Sequence, residues 1–252
     1  MFQPVRTRRT FEEAVAQIAD AIRAGDLKKG DRLPSERELV AQMAISRPTL
    51  REAIKVLVES GVVRVKPGPG GGMFVRSDLV PVDLVVERRE LRVNEVAGVL
   101  EARRLFEPRV AQLAALYATD VDFEAMERTI SLQREVIGDR QRSLQLDLRF
   151  HLLMARATKN LTIVSLMRSL LKQLEIARDM AFRPRDESEL AIAIHERTLK
   201  AIKLGDEDDI DGAMDEHMRF LERIWEEESG RRRLRTAPSF LAPPPARSRR
   251  AR

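Results

Sequence analysis

The stretch SERELVAQMAISRPTLREAIKVLVESG, residues 35–61, leaves this part of the chain few local options. Ser35 and Glu38 form an S-x-x-E capping box, in which each side chain satisfies a backbone donor at a helix start. Ser46, eleven positions further on, is a second N-cap, and Pro48 is tolerated in the turn that follows it. The first helix must therefore be short and end in a break of three or four residues. The second helix presents Leu50, Ile54 and Leu57 along one inner face.

The flanking sequence supplies what these helices pack against. FEEAVAQIADAIRAG, residues 11–25, carries Phe11, Val15, Ile18 and Ile22 at helical spacing and stops at Gly25. After the pair, VVRV at 62–65 reads as a strand, KPGPGGG at 66–72 excludes regular structure, and MFV at 73–75 reads as the returning strand. Helix, helix, helix and Gly-rich hairpin is the order of a winged helix-turn-helix. In such a pair the second helix enters the major groove by its N-terminal residues, here Ser46, Arg47, Pro48, Thr49 and Arg51. The N–H groups of a first helical turn suit phosphate, and arginine grips guanine or phosphate through two bonds. Glycines 68, 70, 71 and 72 permit close backbone approach, with Lys66 adding charge beside them.

Charge is unevenly placed. Residues 1–77 carry a net +5, residues 78–230 a net −8 and residues 231–252 a net +8. This separates a basic front from an acidic middle and an arginine-rich end. Residues 78–92 read as a linker. From Val93 to about Glu228 the pattern is helical, with breaks near Ala118–Asp120, Gly138–Asp139, Lys159–Asn160, Arg183–Asp186 and Gly205–Asp206. That predicts about six helices in a bundle over 93–229, with Pro108 kinking the first or marking a junction. The tail, 230–252, is Pro- and Arg-rich without periodicity, which predicts disorder. With 43% hydrophobic and 34% charged residues the chain can bury a core and stay soluble. It has no cysteine and no apolar run of membrane-spanning length, and its N-terminus lacks an apolar signal segment, so a cytoplasmic protein is expected.

The chain has three histidines, and each sits on the apolar side of a bundle helix. His151 follows Asp147 by one turn in DLRFH; His195 has Ala191, Leu199 and Ile202 around it; His217 has Ala213, Met214, Phe220 and Leu221. A carboxylate on a buried face needs a partner. Three imidazoles and one carboxylate converging in a bundle core make a divalent metal site, suited to Zn, Ni or Fe, with Mn not excluded. Spacing within helices says nothing of convergence between them. Three separately satisfied core histidines, with Asp147 bonded to an arginine, would need no metal, and a lone histidine on an apolar face is usually of that kind.

GDRLPSERELVAQMAISRPTLREAIKVLVESGVV resembles the N-terminal domain of the GntR family of bacterial transcription regulators. The resemblance covers about residues 10–77 and implies DNA contact by Arg37, Arg47, Thr49 and Arg51, and by the wing at Lys66, Gly68 and Gly70. Glu36, Glu38 and Glu52 are read instead as caps and ion pairs within the domain, since acidic side chains seldom face phosphate. Residues 93–226 resemble the FCD effector domain of the FadR-type subfamily, through EARRLFEP at 101–108, DLRFH at 147–151, ATKN at 157–160, and the histidines at 195 and 217. This resemblance implies a metal site of Asp147, His151, His195 and His217. It also implies Arg103 as a clamp for a ligand carboxylate, with Glu101 beside it. An ion pair with a bundle carboxylate is the alternative for Arg103, and a helix cap is the first reading of Asn160. Arg104 is expected to face elsewhere.

The expected protein is mainly α, with a winged helix-turn-helix at 1–77 and an all-α, FCD-like bundle at 93–229. Its expected function is a homodimeric DNA-binding regulator, by family habit a repressor. It would read a pseudo-palindromic operator and respond to a small carboxylate at the metal. No enzyme activity is expected. A regulator for which the ion itself is the signal, and a metalloenzyme with a DNA-binding module, are the alternatives.

Overall fold

A computed structural model of the chain describes residues 10–81, 84, 93–181 and 187–229. The chain divides into two compact units, Met1–Arg88 and Arg89–Arg252. Much of the 78–92 linker and all of the 230–252 tail lie outside the described residues, as does the break at 183–186.

The first unit contains α1 (Thr10–Arg23), α2 (Glu36–Met43), α3 (Arg47–Glu59), β1 (Val63–Lys66) and β2 (Gly72–Val75). The capping box closes α2 at its start: the Ser35 amide donates to Glu38 Oε2 at 2.7 Å and the Glu38 amide to Ser35 Oγ at 3.3 Å. Ala44, in the left-handed region at φ 52°, ends α2. Ser46 Oγ then accepts from the Thr49 amide at 3.2 Å and starts α3. Ile18 and Ile22 of α1 and Leu50 and Leu57 of α3 are buried where these two helices pack. The strands pair antiparallel, with Val63 opposite Val75 and Lys66 opposite Gly72. Between them the wing turns so tightly that a Cβ on Gly71 would lie 2.3 Å from the Lys66 carbonyl oxygen. Arg32 supports the turn from outside, donating to the Gly71 carbonyl at 2.7 Å.

The second unit is a bundle of α4 (Val93–Tyr117), α5 (Asp120–Glu135), α6 (Arg140–Ala157), α7 (Leu161–Ala181), α8 (Glu187–Leu204) and α9 (Glu207–Ser229). Short polar residues set the breaks. Asp139 caps α6 through the Arg142 amide at 3.1 Å. Asn160 Oδ1 accepts from Thr162 and Ile163 at 3.0 and 3.3 Å, the cap expected of it. Gly205 at φ 71° leads into α9. Pro108 marks no junction, because α4 runs through it unbroken; a proline inside a helix removes one backbone hydrogen bond, which the long packed helix tolerates. α4 packs on α9, α6 and α7, and α5 on α6 and α8. Arg104 ties α4 to α9, donating to Glu222 at 2.7 and 2.6 Å and to Asp215 at 2.7 Å. Among the described residues no helix is long and apolar enough to cross a membrane.

Candidate metal centre and nucleic-acid interface

In the first unit, Arg37, Ser46, Arg47, Arg51, Lys66, Gly68 and Gly70 are exposed and Thr49 is half-buried. Local folding has already used some of their bonding capacity. Ser46 Oγ serves as the N-cap and lies 2.7 Å from Thr49 Oγ1, so these hydroxyls hold each other. Arg51 lies against Glu36, Nε to Oε1 at 2.5 Å, which holds the Glu36 carboxyl below its usual range. Glu36 and Glu38 thus form the ion pair and cap expected of them. Glu52 does neither: it is exposed and has no ion pair among the described residues. A cleft of about 360 Å³ opens between the start of α2 and the wing, lined by Arg32, Glu36, Arg51 and Lys66 among others.

In the second unit, α6, α8 and α9 bring the three histidines together. Each ring offers a nitrogen within 4.8 Å of those of the other two, and all three rings are buried. Asp147, one turn before His151, reaches into the same space: its Oδ1 is 3.4 Å from His195 Nε2 and its Oδ2 is 3.9 Å from His151 Nε2. Phe150 stacks on the His195 ring at 4.2 Å between centroids and walls the cluster from the apolar side.

The outer nitrogens decide what the inner ones can do. His195 Nδ1 is 2.9 Å from Gln133 Oε1, His217 Nδ1 is 3.2 Å from Thr198 Oγ1, and His151 Nδ1 is 2.8 Å from Glu107 Oε2. Gln133 Oε1 and the Glu107 carboxylate can only accept, which favours the proton at Nδ1 of His195 and His151 and leaves their Nε2 lone pairs for a cation, whereas the Thr198 hydroxyl can donate or accept. Burial, together with the neighbouring His151 and His195, pushes the His217 pKa well below the usual histidine range, so that ring is neutral. Three converging imidazoles with one carboxylate are a donor set that fits a divalent ion. Nitrogens on one zinc ion, at about 2.1 Å each, sit about 3.4 Å apart, so nitrogens within 4.8 Å of one another need close by no more than about 1.4 Å to share one ion.

Arg103, on α4, is fully buried beside the cluster. Its Nε and Nη2 donate to Glu107 at 2.5 and 3.1 Å, and its Nη2 lies 3.4 Å from His151 Nε2. Among the described residues its Nη1 has no hydrogen-bond partner. The ion pair weighed for Arg103 is present along one edge, and the tip nitrogen is an unspent donor among the described residues. Burial alone would raise the Glu107 pKa, but Arg103 and His151 outweigh it and hold the carboxyl far below the usual range. Glu101 does not join this group. It is half-buried, no contact links it to the cluster among the described residues, and two helical positions put it about 200° round α4 from Arg103. Glu107, one turn after Arg103, does join the group. The signal for it was present in EARRLFEP, since positions 103 and 107 share a helix face. Gln133 and Thr198 gave no such signal for partnering histidines.

A winged helix-turn-helix and an all-helical second unit with a buried polar centre define the class of this chain: it is a DNA-binding transcription regulator. Residues 10–75 match the bacterial regulatory proteins of the gntR family, and residues 98–220 match the FCD domain. The chain belongs to the GntR family. It is 30% identical, over 86% of both chains, to the Escherichia coli K12 protein named for regulation of the L-lactate dehydrogenase operon. It is 34% identical to the Uxu operon transcriptional regulator of the same organism over 64% of this chain and 63% of that one. The transcriptional repressor NanR of Cronobacter sakazakii is 24% identical over 92% of each. Among solved structures, Escherichia coli McbR/YncC shares the fold, with a TM-score of 0.53 at 17% identity over 88% of this chain and 100% of that one.

Proposed function

We propose that this protein is a cytoplasmic, homodimeric repressor whose hold on a pseudo-palindromic operator is released by a small organic acid bound at a metal centre in its bundle. Residues 1–77 form the reading head, 78–92 the linker and 93–229 the effector and dimerisation domain. Arg37, Arg47 and Arg51, with Ser46, Thr49, Lys66, Gly68 and Gly70, contact the duplex. Asp147, His151, His195 and His217 hold the ion, for which zinc is the first choice given three imidazoles and a carboxylate.

The observation that carries this reading is the convergence of three buried histidines beside an arginine with one unpaired buried nitrogen. A buried donor left unsatisfied is costly, and a carboxylate oxygen of a ligand satisfies Arg103 Nη1. The ion, when bound, would act as a Lewis acid that accepts the ligand's oxygen. Asp147 and the three imidazoles set its position, and Glu107 keeps Arg103 pointed at the same space. The organic acid releases DNA only if it binds the DNA-free arrangement more tightly than the DNA-bound one.

The test starts with elemental analysis of the purified full-length protein. Genomic duplexes it selects are then titrated with the metal alone and with a panel of small carboxylates. Near-stoichiometric metal, with DNA released only on adding an acid, is the expected result. Release by metal alone makes the ion itself the signal and overturns the effector assignment.

A further inference from the structure

We propose that Glu107 is a positioning residue that couples the two halves of the bundle centre: it orients His151 toward the metal and holds Arg103 toward the organic ligand. This rests on reading the histidine cluster as a metal centre.

The geometry is a buried chain of three side chains. Glu107 is completely buried, and its two oxygens are divided between two donors. Oε1 takes Arg103 Nε at 2.5 Å and Oε2 takes Arg103 Nη2 at 3.1 Å, while His151 Nδ1 lies 2.8 Å from Oε2, at ion-pair distance but out of line for a hydrogen bond. An ionised carboxylate accepts only, so an approach of 2.8 Å favours a proton on His151 Nδ1 and a lone pair at Nε2. The same carboxylate holds the guanidinium by its Nε/Nη2 edge. That edge is closed to a ligand, and Nη1 is left as the donor with no partner. Arg103 therefore meets a ligand oxygen through its tip and not through the edge used by a side-on, two-bond clamp.

His195 and His217 are held by neutral partners, Gln133 and Thr198. His151 alone of the three has a carboxylate at Nδ1 among the described residues, which makes its Nε2 the most basic of the set. Arg103 works against this, because its cation lies 3.4 Å from that same nitrogen. Glu107 and Arg103 should then act on metal affinity with opposite signs, although they are one ion pair.

That sign difference is the test. Full-length wild type, Glu107→Gln, Arg103→Gln and the double variant are stripped of metal and titrated with Co²⁺, following the visible ligand-field bands and the dissociation constant. A glutamine at 107 can accept from one donor only and turns an N–H toward the other. Loss of an outer-shell partner of a metal-bound histidine typically weakens binding about 10- to 100-fold. Glu107→Gln is expected to bind Co²⁺ at least about tenfold more weakly, with altered bands, and Arg103→Gln more tightly than wild type. The double variant removes both buried charges together, which bundles often tolerate, so it decides the matter if Glu107→Gln does not fold. It should bind more weakly than Arg103→Gln. Equal weakening in both single variants would make the pair a plain structural strut, and unchanged affinity in Glu107→Gln would remove the coupling altogether; either overturns the proposal. A wild type that binds no Co²⁺ overturns the metal centre itself, a separate failure.

Discussion

The Arg51 guanidinium lies along the Glu36 carboxylate, Nε to Oε1 at 2.5 Å and Nη2 to Oε2 at 3.3 Å, joining the start of α2 to the first turns of α3. The pair is exposed, with 71% of the Arg51 side chain open to solvent. Nη1 and one hydrogen of Nη2 remain directed away from Glu36, so the acid steadies the fork without consuming it.

Glu36→Gln should therefore separate affinity from specificity. Removing a negative charge beside the duplex raises binding to unrelated DNA, while a loosened Arg51 discriminates bases less well. The ratio of selected to random duplex affinity, measured by fluorescence anisotropy at fixed salt, should fall. A ratio that rises would mean that Glu36 only competes with DNA for the arginine.

Arg51→Ala and Arg47→Ala should each weaken the selected duplex by roughly ten- to a hundredfold if each grips a base edge. The bundle should be untouched, with unchanged helical signal and metal content. An arginine that contacts phosphate instead will weaken all duplexes alike and reduce the slope of log affinity against log salt by about one.

Acid should unfold the metal-free protein, and the sign follows from two depressed groups. His217 is neutral in the fold, with its pKa well below the ordinary 6.5. As pH falls below 6.5 the unfolded chain takes up a proton that the folded chain refuses, so stability falls. Glu107 acts in the same direction at lower pH, because its folded pKa lies below the ordinary 4.5. Thermal melts of metal-free protein from pH 8 to 4 should show Tm declining from about pH 6.5 downward. For His217→Gln the part of that decline above pH 5 should shrink; if it does not, the His217 assignment fails.

His195→Ala and Asp147→Asn should each lower bound metal in equilibrium dialysis, with His195→Ala the more severe, since a lost ligand leaves too few donors for a closed site. Gln133→Leu keeps all four proposed ligands and removes only the acceptor on His195 Nδ1. It should weaken binding by about tenfold, the low end for an outer-shell loss.

Phe150 is completely buried and stacks on His195. Phe150→Ala should cost about 3–5 kcal/mol of stability, read as a lower urea midpoint. Metal should restore part of it, because an ion that binds only the folded state stabilises it by mass action.

Local rules carried much of this molecule. Capping serines, glycines past helix ends and the Pro/Gly wing located α2, α3, the hairpin and the breaks of the bundle, because those signals act within a few residues. The same reach explains Asn160. At Pro108 no junction forms, since a long helix packed on α6, α7 and α9 runs through it. Glu101 is singled out by its place in a motif, and it occupies a different face of α4 from Arg103.

From its own residues the sequence determined the capped helix pair with its Gly-rich hairpin, the helical second part, and the candidacy of the only three histidines for one centre. Only the tertiary structure decided that those histidines meet, since intrahelical spacing carries no information about α6, α8 and α9 facing one another. It also decided which atoms are spent. Arg51 is held by Glu36, and Arg103 by Glu107 along one edge, with a single nitrogen left over. Hydrogen bonds run atom to atom over about 3 Å, a scale set by how helices pack and not by the order of residues along them.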